Sequence, residues 1–144
     1  MDESLVAAVR QRAGGQCEYC RLPESSHPGS FEIEHVIPKQ HGGASSLSNS
    51  AFSCLHYNRH KGPNLAGIER TGAVNRLIPL FNPRRHKWNR HFRWDGPRLI
   101  GRTPLGRVTV QVLAMNAPLR VALREELIAE GLFPPAIIET LGFR

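Results

Sequence analysis

Glu34-His35, Asn49, Asn58 and Lys61 are the residues whose types and spacing suggest chemistry. The carboxylate of Glu34 and the amide oxygen of Asn58 form a hard, oxygen-only donor pair. Such a pair suits magnesium or manganese, with waters and phosphate oxygens completing the shell. A neutral imidazole at His35 can take a proton from water near pH 7. A metal and a base are the minimum kit for hydrolysing a phosphodiester. On residue type alone a Glu-His pair is more often structural, so hydrolysis stands here as one option among several. Cys17, Cys20 and Cys54 form a second group. Three cysteines cannot all pair as disulfides, so their spacing is read as metal chemistry or as isolated thiols.

These residues need particular elements to bring them together. Phe31-Glu-Ile-Glu-His-Val36 begins with apolar and polar residues in alternation, which predicts a strand ended by Pro38. Neighbouring strand residues point to opposite faces, so Glu34 and His35 can share a site only at a strand end or a bulge. Residues 38–48 read as a loop around Gly42-Gly43, Ser50–Ser53 as a short second strand, and residues 55–61 as a helix stopped by Gly62-Pro63. A hairpin followed by that helix returns Asn58 towards Glu34. Upstream, residues 4–13 predict a helix, and Cys17-Glu-Tyr-Cys20 a tight knuckle. Downstream, 63–80 reads as an extended connection and 81–100 as a basic, aromatic segment. Helices are predicted over 104–115 and from Pro118 to about 130, with a strand at Val108, Val110 and Val112 as the alternative to the first.

The chain of 144 residues is the size of one ordinary domain, with a formal net charge of +7. That balance points to a polyanionic partner, of which nucleic acid is the common one. The charge is uneven. Residues 1–72 carry seven basic and seven acidic side chains, whereas residues 73–144 carry twelve and five. Arg84, Arg85, Lys87, Arg90 and Arg93 are therefore candidate contacts to a nucleic-acid backbone. Among them, Trp88, Phe92 and Trp94 read as core residues, with base stacking as the alternative. No apolar run is long enough to span a membrane, and the acidic start Met-Asp-Glu-Ser-Leu is unlike a signal peptide, so a cytoplasmic location is expected.

From Cys17-x-x-Cys20 through Phe31-Glu-Ile-Glu-His-Val-Ile-Pro38, Gly42-Gly43 and Asn49 to Cys54-x-x-Tyr57-Asn58-Arg-His-Lys61-Gly62, the sequence resembles the HNH endonuclease family of ββα-metal nucleases. The resemblance covers roughly residues 10–65. It implies an α+β fold: a small ββα-metal core with flanking helices and a basic C-terminal extension. The module is expected over 1–70, with the extension, 71–144, packed on it. The resemblance makes His35 the general base and Glu34 and Asn58 the ligands of a magnesium or manganese ion. Asn49 ties the long loop and holds the histidine, and Lys61 approaches the phosphate. The implied activity is hydrolysis of DNA, double-stranded for preference, leaving 5′-phosphate and 3′-hydroxyl ends.

Two positions depart from the family pattern. Glu34 stands where Asp is more usual, one methylene longer at a place where small displacements matter. Tyr57 stands where a fourth cysteine completes a structural zinc site in many members, and tyrosine is a poor ligand at neutral pH. Three readings of the cysteines follow: His56 supplies a fourth ligand to Cys17, Cys20 and Cys54; the site is lost and the thiols pack as small apolar groups; or zinc is held by three thiolates and water. The alternative to an enzyme is a non-catalytic, zinc-knuckle-type nucleic-acid-binding module.

Overall fold

The computed structural model describes residues 2–27 and 29–136. Helix α1 (Glu3–Arg12) is capped by Asp2, whose carboxylate accepts from the Ser4 amide. The cysteine knuckle follows. Strands β1 (Phe31–His35) and β2 (Ser50–Cys54) then pair antiparallel, with His35 opposite Ser50 and Glu34 opposite Ala51. Helix α2 (Leu55–Lys61) starts directly from β2, with Cys54 as its N-cap. Hairpin, then helix, is the ββα arrangement anticipated above.

The rest of the described residues form two further hairpins and three α-helices. Strands β3 (Ala66–Thr71) and β4 (Val74–Pro79) form a hairpin where an extended connection is expected. It crosses residues 70 and 71, where the division between module and extension is anticipated. Its strands lack apolar alternation because most of their side chains face water, Leu77 at 73% exposure among them. Helix α3 (Trp88–His91) leads into strands β5 (Phe92–Asp95) and β6 (Arg98–Gly101), which turn at Gly96. Helix α4 (Pro104–Val112) begins on Thr103, whose hydroxyl accepts from the Gly106 amide, and the alternative strand there does not form. Helix α5 (Pro118–Ala129) closes the described chain. The fold is α+β.

One apolar core joins these pieces. Trp88, Phe92 and Phe81 are buried with Phe52, Tyr57 and Leu22 of the ββα region. Trp88 donates its indole N–H to the Tyr19 carbonyl, 2.7 Å away. Trp94 is half-buried between Trp88 and Phe133. The aromatics therefore pack the second half of the chain onto the first. Gly67 lets β3 close on α4, since a Cβ there would meet Val108 and Val112 methyls at 2.6 and 2.7 Å.

Candidate active site

The end of β1 and the loop behind it form the first part of the site. After His35 the chain turns out at Pro38 and returns at Asn49. The Asn49 side chain clamps both ends of this loop. Its amide oxygen accepts from the Ile37 N–H at 2.8 Å, and its amide nitrogen donates to the Ile37 and Ala44 carbonyls at 2.9 Å. The backbone adds Val36 N–H to the Asn49 carbonyl. Gly43 makes this closure possible, because a Cβ there would lie 1.6 Å from the Ile37 oxygen. The clamped loop presents Ser45, whose hydroxyl lies 2.9 Å from His35 Nε2. Partial burial, then the charges of Lys39 and Lys61, lowers the His35 pKa, which favours the neutral ring.

Glu34 points the other way, as strand alternation requires. It is buried at 3% exposure and accepts from the Tyr19 hydroxyl. Lys61 Nζ lies 3.8 Å from Oε1 and donates to the Val36 carbonyl at 3.0 Å. Lys61 is thus buried in the floor of the site. Glu34 Oε2 is buried with no hydrogen-bond partner among the described residues. Burial pushes the Glu34 carboxyl up to about 7, opposed by the Lys61 charge and the tyrosine hydrogen bond.

Asn58, one turn before Lys61 on α2, does not bond to Glu34. Its amide nitrogen donates to Glu32 Oε2 at 2.5 Å. Glu32 and Glu34 share the face of β1 that α2 covers, so three oxygen-bearing side chains line that face. Glu32 lies outside the motif, although the two-residue strand period puts it beside Glu34. Tyr19 has no signal in the sequence, because its contact depends on folding of the knuckle. The donor set suits a hard divalent cation: Glu34 Oε2 is an orphaned buried oxygen, and Asn58 Oδ1 accepts no hydrogen bond among the described residues.

The knuckle lies behind the hairpin. The Tyr19 amide donates to Cys17 Sγ, and Arg21 adopts φ 66° to turn the chain back. Ligand atoms of Cys17, Cys20 and Cys54 all lie within 4.8 Å of one another, so the cluster can hold a metal ion. His56 is not gathered with them; its Nε2 lies 3.0 Å from the Ala114 carbonyl, to which α2 holds it. The Tyr57 hydroxyl is engaged by α5. It accepts from Arg124 Nη2 at 2.9 Å, and Arg120 Nη2 donates to Cys54 Sγ at 3.3 Å. Burial alone would raise Cys20, but hydrogen bonds from Cys17 and Cys54 and the charges of Arg120 and Arg124 bring it well below the usual thiol range. Cys17 and Cys54 are raised by burial. The cluster therefore favours one thiolate, with two arginines from α5 as its counter-charges.

The candidate backbone contacts divide in two. Arg85, Lys87, Arg90 and Arg93 are exposed. Arg84 is buried, and its guanidinium pairs with Glu18, which also accepts from the Phe52 amide. An arginine committed to that interior pair is not presented to solvent, and sequence composition could not separate it from its neighbour.

The model of the HNH endonuclease family matches residues 17–64, about a third of the chain, from the first knuckle cysteine to just past α2. No curated protein and no solved structure matches the chain. The matched segment contains the knuckle, both strands, the clamped loop and α2 in order. Residues 17–64 of this chain are thus similar to the HNH endonuclease domain.

Proposed function

We propose that the protein is a metal-dependent endonuclease acting on DNA, with His35 as general base and a divalent cation on Glu34 and Asn58. The observation that carries this reading is the pairing of a neutral, half-exposed His35 with an orphaned carboxylate oxygen on the adjacent residue. A binding module needs neither. Glu32 is a further oxygen donor beside Asn58.

In this mechanism a water enters between Ser45 and the imidazole. The serine hydroxyl holds it, His35 removes its proton, and the water oxygen attacks phosphorus opposite the 3′ oxygen. The P–O3′ bond breaks, leaving a 5′-phosphate, and solvent protonates the 3′ oxygen. A cation at Glu34 and Asn58, magnesium or manganese, supplies Lewis-acid stabilisation of the charge on the phosphate. Asn49 acts through the loop that presents Ser45 and is a positioning residue. Lys61 fixes the carbonyls that follow the base. The cysteine cluster is a structural site, for which zinc is the fitting ion.

Calorimetry with Mn²⁺ tests the ion site directly. Glu34→Gln and Asn58→Ala should each weaken Mn²⁺ binding by more than about tenfold. Unchanged binding in both would move the ion elsewhere and remove this assignment.

A further inference from the structure

A cavity of about 260 Å³ begins one residue beyond His35, at Val36, and runs along Lys61 to the segment after β4. Its wall is apolar, built from Val36, Leu80 and Phe81. Ile37 and Leu65 are exposed at 41% and 43% and form its lip. The polar lining consists of Lys61, Asn64, Asn82, Arg85 and His86, and no carboxylate among the described residues lines it. The volume is just below the roughly 300–1,000 Å³ of drug-sized ligand sites. It suits one flat ring system with a charged substituent.

The chemistry of the rim favours an anion. Arg85 is exposed, with no side-chain partner among the described residues. The Asn82 amide donates to His86 Nδ1 at 2.9 Å, which puts the ring proton on Nε2 and leaves that N–H as a donor. Asn64 and Asn82 offer amide groups of the kind that read base edges. A second depression, lined by Arg85, His86, Lys87, Arg90 and His91, adjoins the first through two shared residues. The two form a continuous basic path leading away from the His35 end of β1.

We propose that the cavity binds one nucleotide of the DNA strand next to the cleaved bond, its base on the apolar wall and its phosphate on Arg85 and His86. The proposal rests on the nuclease reading above and extends it to how the substrate strand is held. A base leaves the duplex stack to enter such a pocket, so strands with a gap, nick or unpaired end bind at lower energetic cost.

Amide chemical shifts of the full chain, ¹⁵N-labelled and in EDTA, test this with deoxyadenosine 5′-monophosphate, deoxyadenosine and inorganic phosphate as probes. The nucleotide should bind saturably, shifting the amides of Val36, Ile37, Leu65 and Arg85. It should bind more tightly than either fragment. Arg85→Ala should weaken it by about tenfold, the loss of a charge-assisted hydrogen bond. Leu65→Glu, a change at an exposed lip residue, should weaken it by setting a carboxylate against the phosphate. Absence of saturable shifts, or phosphate alone binding as well as the nucleotide, overturns the proposal. Binding is read without metal and without cleavage. A chain that cuts plasmid but does not bind the nucleotide therefore loses only the pocket. A chain that binds it but does not cut loses only the hydrolytic mechanism.

Discussion

Glu34 illustrates the tension between site and stability at the residue scale. Its carboxyl titrates near 4.5 when unperturbed and is pushed up to about 7 in the fold, by burial first. Between those values the folded chain holds a proton that the unfolded chain has lost. The contribution of Glu34 to stability is therefore fullest below pH 4.5 and is lost as pH rises through 7. Above pH 7 the buried charge costs on the order of 3 kcal/mol. Glu34→Gln should make the metal-free chain more stable than the parent at pH 8 in urea denaturation and nearly equal at pH 5, while its Mn²⁺ binding falls. Equal stability at both pH values would mean that the carboxylate is not confined as described. The identity of Glu34 and its neighbour His35 was legible in the sequence. Their opposite orientations followed from strand geometry, but the partners Tyr19 and Glu32 depended on packing.

Among the elements, the ββα unit was the most legible, because Phe31–His35 alternates and Gly62-Pro63 marks the helix end. Other elements were harder to see. The β3–β4 hairpin carries Glu69, Arg70, Asn75 and Arg76 with exposed Val74 and Leu77, and the face it packs on α4 is marked only by Gly67 and Ile78, so no apolar alternation reveals it. The β5–β6 hairpin turns through Gly96-Pro97, with Gly96 at the first central position and φ 56°, a turn signal set inside a strongly basic segment. The Asn49 clamp holds the loop that presents Ser45 to His35. Asn49→Ala removes three hydrogen bonds to loop backbone and should cost about 1–3 kcal/mol. It should also expose the Ile37 and Val36 amides to hydrogen exchange. An unchanged exchange rate at Ile37 would show that the loop closes without the side chain.

At the scale of the whole molecule, the second half of the chain contributes both charge and structure. Arg120 and Arg124 of α5 reach Cys54 and Tyr57, and Arg84 reaches Glu18, so the basic excess is divided between interior and surface. Charge counting located the excess after residue 72, but only the fold distinguishes buried arginines from exposed ones. Replacing Arg85, Lys87, Arg90 and Arg93 together by alanine should reduce the slope of log affinity against log salt by about one for each phosphate contact removed. Fluorescence anisotropy with a short duplex measures it, and an unchanged slope would place the DNA on another face.

The central claim is hydrolysis by this chain with His35 as its base. Conversion of supercoiled plasmid in saturating Mn²⁺, compared between the parent and His35→Ala, tests it most directly. Cleavage by the parent should stop when the ion is chelated, and the variant should cut at least about a hundredfold more slowly, in line with the loss of a general base. Equal cleavage by the two proteins, or cleavage that persists in chelator, would contradict it.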